Sequence, residues 1–309
     1  MLFIIIGATL LYFGAEGLVR GSASLATRVG ISPLIAGLTI VAFGTSAPEL
    51  SVSLSSALGG HADIALGNVV GSNIFNIAVI LGIAALIQPL QIHLSVIRRD
   101  IPVMILSSAI AFGCILYAGF SRFTGAGLLL GLILYLVSAI RSGKNVSNSS
   151  DETSIDAPPL LSKSWWIDSL VIMAGLGILL VGSRLFIDGA TSLAKSLGVS
   201  DAVIGLTVVA AGTSLPELAT SVVAALRGQS DIAIGNIVGS NIFNILCILG
   251  VTALVSPIDA SDIGMRDGLV MLFLSILLLP FALTNQTLSR GEGAIFIALY
   301  AGYLFLLWP

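Results

Sequence analysis

The residues that could carry chemistry in this chain stand in two short motifs, and each motif occurs twice. The first motif reads GTSAPE at residues 44–49 and GTSLPE at residues 212–217. In both copies Thr, Ser and Glu are three or four positions apart, so their oxygens share one face of a helix. The proline removes one helical hydrogen bond and thereby frees nearby carbonyl groups to face a ligand. The motif predicts an oxygen-rich cation site.

The second motif reads GSNIFN at residues 71–76 and again at residues 239–244. Its Ser and its last Asn are one helical turn apart in each copy, which gives a second face that carries oxygens. Glycines four residues apart precede and begin each copy and are predicted to let helices pack closely: Gly67, Gly71, Gly235 and Gly239.

Other polar side chains have structural interpretations that we favour over direct contact with an ion. Four amides are predicted to bridge helices: Asn68, Asn73, Asn236 and Asn241. Two carboxylates are predicted to cap helices, with a role in guiding ions as the alternative: Asp63 and Asp231. Two charge pairs at i,i+4 are predicted to be structural ion pairs, with a gating role as the alternative: Glu16 with Arg20, and Arg184 with Asp188.

The composition shows which elements must position these motifs. The 309 residues are 56% hydrophobic and only 9% charged, whereas soluble domains average about a quarter charged. Apolar stretches of roughly 20 residues, enough to cross a bilayer, recur along the whole chain. The first is interpreted as a retained span and not as a cleaved signal peptide. We predict an all-α membrane protein with about ten transmembrane helices: 2–26, 33–57, 64–87, 101–118, 123–141, 166–195, 202–225, 232–255, 268–284 and 292–308.

An internal repeat organises these spans into two halves. Residues 30–82 align without a gap on residues 198–250, at a constant offset of 168, and most positions are identical. Five helices in each half force equivalent helices to cross the membrane in opposite directions, as in many secondary transporters. We therefore predict two inverted five-helix repeats with broken helices 2, 3, 7 and 8. The first repeat covers 1–141, a linker covers 142–164, and the second repeat covers 165–309.

The distribution of Lys and Arg at the span ends predicts the orientation of the chain. Most of them fall on the side of the linker, which the positive-inside rule makes cytoplasmic. Both termini then face outwards. The loop that holds Arg98 and Arg99 is basic, whereas its counterpart with Asp259, Asp262 and Asp267 is acidic, as expected for opposite faces. The small size of the protein favours a prokaryotic inner membrane.

The pooled ligands of the two halves are hard oxygens: two carboxylates, several hydroxyls, amide oxygens and carbonyls. Ca2+ prefers such ligands and takes about six to eight of them, whereas Zn2+ and Cu+ favour nitrogen and sulfur. Two carboxylates neutralise one Ca2+ or can be balanced by Na+ or protons. The residues therefore predict ion exchange within a lipid bilayer, with no cofactor and no nucleic-acid partner. No protease, hydrolase or phosphate-loop motif is present, so an enzyme is not favoured.

The paired motifs resemble the two alpha-repeats of the sodium/calcium exchanger family, in its prokaryotic type without a regulatory domain. This resemblance implies a Na+/Ca2+ antiporter that works by alternating access at a midplane site. The alternatives are an H+/Ca2+ or K+-involving antiporter and, less favoured, a cation channel. One second motif of the family often ends in Asp, whereas both end in Asn here. By motif position, the implied metal ligands are Ala42, Thr45, Ser46, Glu49, Ser72, Asn76, Ala210, Thr213, Ser214, Glu217, Ser240 and Asn244.

Overall fold

A computed structural model describes residues 1–117, 119–146, 164–198, 210–258 and 265–307. Within these ranges the chain is almost entirely helical. Its helices are α1 (Leu2–Val29), α2 (Pro33–Thr45), α3 (Ala47–Leu58), α4 (Ala62–Ile87), α5 (Val96–Tyr117), α6 (Arg122–Val146), α7 (Trp165–Ser196), α8 (Ala210–Gly212), α9 (Leu215–Leu226), α10 (Ser230–Val255), α11 (Met265–Leu283) and α12 (Arg290–Leu307).

Eight of the helices in the described ranges are long and apolar enough to cross a membrane on their own. A ninth crossing is the pair α2 and α3, which is bent by 44° at its break. The short apolar helix α9 represents the predicted seventh span, whose residues 202–209 lie outside the described ranges. The chain is therefore an integral membrane protein of the all-α class, as predicted.

The first half shows how local sequence sets these boundaries. Helix α1 ends at Gly30, whose φ of 71° places it in the left-handed region that glycine tolerates. Ser32 then caps α2, because its hydroxyl accepts a hydrogen bond from the amide of Ile35, and Pro33 occupies the first helical position. The bend between α2 and α3 falls at Ser46, two residues before Pro48.

Helices α1 and α7 show that the two halves have opposite orientations. These helices are equivalent at the offset of 168, and they pack against each other along most of their length. Gly7 contacts the backbone around Gly182, and Gly14 contacts the backbone around Gly175. Gly21 faces Asp168. Since positions rise along α1 as they fall along α7, the two equivalent helices are antiparallel, which confirms the predicted inverted repeat.

Two short strand contacts repeat the same symmetry. Strand β1 (Leu90–Gln91) pairs with strand β2 (Thr287–Leu288), with Leu90 opposite Leu288. An isolated bridge joins Phe120 to Ile258. Because Ile258 is the repeat equivalent of Leu90, and Leu288 that of Phe120, one contact is the image of the other. The sequence did not predict these strands.

The helix-cap predictions for the two carboxylates are wrong. His61 and Gln229 occupy the N-cap positions of α4 and α10, and Asp63 and Asp231 fall in the first turn. Asp231 instead lies 3.1 Å from Nε2 of His93, so it links the start of α10 to the loop before α5. This contact joins segments distant in sequence, which local helix signals cannot reveal.

Only one of the two predicted ion pairs forms. Glu16 pairs with Arg20 on α1 and also with Arg227, which follows α9. Arg184 and Asp188 are exposed and form no ion pair with each other, so the second prediction is wrong. Among the described residues, the ion pair between α1 and the end of α9 therefore has no repeat equivalent on α7.

The linker can be described only at its edges. Helix α6 continues to Val146, past the predicted linker start at residue 142, and α7 begins at Trp165. Residues 147–163 lie outside the described ranges, as do Asp259 and Asp262. The boundaries 1–141, 142–164 and 165–309 stay predictions.

Candidate ion-binding site

Four helical segments cross at the buried centre of the bundle and carry the predicted ligands. The break between α2 and α3 holds one GTSxPE motif, and the break between α8 and α9 holds the other. The GSNIFN motifs lie in α4 and α10, and both helices widen into a π-helical turn from the last Asn of the motif onwards. Such turns are rare and recur at functional sites.

The two glutamates are held by serines of the opposite half. Ser46 Oγ donates to Glu217 Oε1 at 2.9 Å, and Ser214 Oγ donates to Glu49 Oε1 at 3.0 Å. Ser214 Oγ also lies 3.3 Å from Ser72 Oγ. Both carboxylates are 1% exposed. The two motifs therefore form one composite site.

The second carboxylate oxygen of each glutamate has no hydrogen-bond partner among the described residues. Among the predicted ligands, three further buried oxygens share this condition, two from amides and one from a hydroxyl. Buried polar atoms are normally hydrogen-bonded, so unpaired oxygens on five predicted ligands need an explanation, and a bound cation provides one. The five oxygens are Glu49 Oε2, Glu217 Oε2, Asn76 Oδ1, Asn244 Oδ1 and Ser240 Oγ.

A chain of amide contacts fixes the direction of Asn244. Asn73 Nδ2 lies 3.5 Å from the carbonyl oxygen of Asn241. This contact orients the Asn73 amide so that its Oδ1 points the other way and can accept a hydrogen bond. Asn244 Nδ2 donates to that oxygen at 3.0 Å. The oxygen of Asn244 is thereby left as the free end of its amide. Neither polar atom of the equivalent Asn76 is bonded to any described residue, so the two halves differ here.

Two other asparagines support the main chain of the glutamates. Asn68 Nδ2 donates to the carbonyl of Glu49 at 3.2 Å and to Ser53 Oγ at 2.9 Å. Asn236 Nδ2 makes the equivalent contacts, at 3.3 Å to Glu217 O and 2.9 Å to Ser221 Oγ. The predicted bridging role of Asn68 and Asn236 is confirmed. Sequence reasoning missed Ser53 and Ser221, although both recur at the repeat offset.

The threonines join these amides across the halves. Thr45 Oγ1 lies 3.2 Å from Asn236 Oδ1 and 3.1 Å from the carbonyl of Val41, within its own helix. Thr213 Oγ1 lies 3.4 Å from Asn68 Oδ1. Each threonine hydroxyl can donate a hydrogen bond to such an acceptor, and its oxygen lone pairs then remain available for an ion.

Hydrogen bonds between the halves join most of the predicted side chains, whereas Asn76 and Ser240 make none with described residues. Every predicted ligand side chain but that of Thr213 is buried. The carbonyl of Ala42 accepts from the amide of Ser46 at 3.0 Å, and Ala210 begins α8. That all of these groups bind an ion stays a prediction. Asn73, which orients Asn244, is a site residue whose role the sequence did not indicate beyond helix bridging.

Comparison with known proteins places this geometry in a family. The family described as "Sodium/calcium exchanger protein" matches residues 1–141 and 168–308. The inner membrane protein YrbG of Escherichia coli is 38% identical, over 99% of this chain and 95% of its own length. The sodium/calcium exchanger MaX1 of Methanosarcina acetivorans is 30% identical, over 99% of this chain and 98% of its own.

A solved structure is similar over nearly the same extent. The sodium-calcium exchanger NCX_Mj, soaked with 10 mM Na+ and no Ca2+, superimposes with a TM-score of 0.84 at 34% identity, covering 98% of this chain and 96% of its own. The family consists of transporters and not of enzymes. The doubled motif, the inverted halves and these matches show that the chain is a membrane antiporter and belongs to the sodium/calcium exchanger family.

Proposed function

We propose that this protein exchanges Na+ for Ca2+ across a membrane, by alternating access to the site between Glu49 and Glu217. The observation that carries the proposal is that five oxygens of the predicted ligands are buried without hydrogen-bond partners among the described residues. Each glutamate contributes one of them. A cation that binds these oxygens would remove the cost of burying them unpaired.

The chemistry of the ligands fits Ca2+ best. Among the described residues, no three side chains of His, Cys, Asp or Glu cluster together, so two carboxylates and neutral oxygens form the candidate ligand set. Ca2+ accepts mixed sets of carboxylate, amide and carbonyl oxygens in flexible geometry. Its charge balances both glutamates, whose burial is costly without a charge partner.

When Ca2+ has left, the counter-ion must bind the same two carboxylates and balance their charge, and it must then leave in its turn. Na+ is the proposed counter-ion because it also takes hard oxygen ligands and because MaX1 and NCX_Mj are named as sodium/calcium exchangers. Protons are the second candidate, since both glutamates can be neutralised by protonation. Asn76 and Asn244 are amides, so the motifs add no third acidic group for either counter-ion.

The inverted repeat supports alternating access. Because α1 and α7 are antiparallel equivalents, the two halves face opposite sides of the membrane. A rearrangement that exchanges their conformations would open the central site to the other side without moving it. The composite site, with each glutamate bonded to a serine of the other half, is where such a rearrangement would act.

We further propose that the protein lies in a prokaryotic inner membrane, with both termini outside and the linker in the cytoplasm. The support is the excess of Lys and Arg on the linker side and the name of the E. coli relative. Reporter fusions at the C-terminus and in the linker test this orientation, and activity of a cytoplasmic reporter at the C-terminus would contradict it.

A flux assay tests the function. Liposomes that contain the purified protein are loaded with Na+, K+ or acid in separate experiments. They are then diluted into medium without the loaded ion, and Ca2+ uptake is followed. We expect uptake with the Na+ gradient and none with K+ alone. Uptake that follows only the pH gradient, with choline in place of Na+, would establish proton exchange instead. Uptake that needs no counter-ion gradient would indicate a channel.

A further inference from the structure

One hydroxyl on α7 reaches out of its own helix to the second GTSxPE motif. Ser183 is 6% exposed, and its Oγ donates to the carbonyl oxygen of Gly212 at 2.9 Å. Serine in a helix commonly bonds a carbonyl one turn back in the same helix. Ser183 instead contacts a residue of α8, so the bond joins two elements.

The carbonyl that Ser183 binds is the one that the motif leaves without a helical donor. The residue four positions after Gly212 is Pro216, which has no amide hydrogen. Gly212 directly precedes Thr213 and Ser214, and Ser214 donates to Glu49. The hydroxyl of Ser183 therefore fixes the peptide that leads into two of the candidate ligands.

The same part of α7 makes two further close contacts. Ile187, one turn after Ser183, packs on Gly212 so closely that a Cβ there would overlap its side chain. At Gly182, α7 packs closely against α1, because an added Cβ would lie 2.9 Å from the amide of Leu11. This turn of α7 thus connects the outer α1–α7 pair to the site.

The first half has no equivalent contact. The repeat equivalent of Ser183 is Ala15, which is fully buried and has no hydroxyl. Pro48 likewise leaves Gly44 without a helical donor, but Gly44 packs against the side chain of Leu176. Among the described residues, this hydrogen bond is therefore present in one half of the site and has no repeat equivalent in the other.

We propose that Ser183 is a positioning residue for ion exchange, which holds the Gly212 peptide so that Thr213 and Ser214 present their oxygens to the transported cation. The proposal rests on the proposed function, since it assigns the ligands that Ser183 positions. Loss of the hydroxyl would loosen these ligands and weaken binding of Ca2+, while both glutamates stay in place.

The test compares Ser183→Ala with Ser22→Ala in the liposome flux assay. Ser22 is buried on α1, and its hydroxyl has no partner among the described residues, so it provides the same chemical change without a lost bond. We expect the KM for Ca2+ to rise about fivefold in Ser183→Ala, as for loss of one hydrogen bond, and to stay at the wild-type value in Ser22→Ala. The maximal rate per folded protein should change less than the KM.

A conservative variant separates positioning from packing. Ser183→Thr keeps a hydroxyl, and its KM should lie closer to the wild-type value than that of Ser183→Ala. An unchanged KM in Ser183→Ala, even with a lower melting temperature, would overturn the proposal, as would equal rises in the alanine and threonine variants. Absence of Na+-driven flux in the wild type would instead overturn the proposed function, so the two failures are distinguishable.

Discussion

Glu49 and Glu217 each accept a hydrogen bond from a serine of the opposite half through one carboxylate oxygen, and the other oxygen has no partner among the described residues. Neither half can therefore complete the site alone. Two buried carboxylates in one centre repel each other and lack hydration, so the centre favours a cation or protons. This requirement provides the physical basis for exchange, because one ion can leave only as another replaces its charge.

Spacing along the chain predicted which side chains share a helix face, but it could not predict their partners. Ser46 and Glu49 were expected to act together because they lie one turn apart. The structure instead places the Ser46 hydroxyl on Glu217. Such a contact depends on how two segments distant in sequence cross in space. An internal repeat in one sequence does not show how close its two copies lie in the folded protein.

The orientation of Asn244 gives a prediction at the same scale. Asn73→Ala removes the acceptor of the Asn244 amide, so that amide can rotate and present nitrogen to the ion. We expect the Kd for Ca2+ to rise about three- to tenfold, as for loss of one hydrogen bond, when it is measured by calorimetry on purified protein.

The matched control is Asn241→Ala at the equivalent position. The Asn241 amide donates to the carbonyl of Ile237 in its own helix, and its Oδ1 accepts from no described residue, so no neighbouring amide is oriented by it. Its main-chain carbonyl, which accepts from Asn73, is retained in the variant. Its Kd should stay near the wild-type value. Equal effects of the two variants would contradict the assigned orientation of Asn244.

Among the elements, the α1–α7 pair depends on glycines that recur every seven residues on each helix. A Cβ at any of them would come within 3 Å of the facing helix: Gly7, Gly14 and Gly21 on α1, and Gly175, Gly182 and Gly189 on α7. This period of seven is readable in the sequence, but close packing was predicted only for the glycines of the second motif.

Of the glycines predicted to pack closely, Gly235 and Gly239 do so, against α2. The repeat equivalents of the α2 residues that they contact, 202–210, lie almost wholly outside the described residues. A Cβ at Gly71 would meet no described atom within 4 Å, so the described residues show no close packing there. The prediction for Gly67 stays open.

Two glycines on α7 allow a matched test of the α1–α7 contact. A Cβ at Gly175 would lie 2.8 Å from the Gly14 carbonyl and from the Leu18 amide, whereas a Cβ at Gly177 would meet no described atom within 4 Å. Gly175→Ala should destabilise the protein by about 1–3 kcal/mol, as overpacking does. Gly177→Ala should leave the melting temperature unchanged or raise it, because alanine favours the helix. Equal melting temperatures for the two variants would contradict the packing.

For the whole molecule, the odd number of spans per repeat was enough to predict inverted halves. For most helix ends, composition and hydropathy predicted the position to within a few residues. The paired strands and the contact between Asp231 and His93 could not be predicted, because they join segments that are remote in sequence. The same holds for Tyr135 and Tyr303, which donate to Asp100 and Asp267 in the two halves.

A site shared by both halves should couple ion binding to the stability of the entire fold. A ligand that binds only the folded state stabilises it by about 2.7 kcal/mol at a hundred times its Kd. We therefore expect Ca2+ to raise the melting temperature in detergent and Mg2+ to raise it far less, since Mg2+ demands stricter octahedral geometry. Equal shifts with both ions would contradict a Ca2+-selective site.

Ca2+ uptake driven by a Na+ gradient in glutamine variants tests the composite site most directly. Glu49→Gln and Glu217→Gln each keep the size of the side chain but remove one of the two charges. The control is Glu292→Gln, at a half-buried position in the first turn of α12 where the side chain can still accept from Ser289. Because Ca2+ affinity depends on the charge of its ligands, each site variant should transport at less than about a tenth of the wild-type rate. The control should transport normally. Near-normal uptake by both folded site variants would contradict the assignment of Glu49 and Glu217 as the centre of exchange.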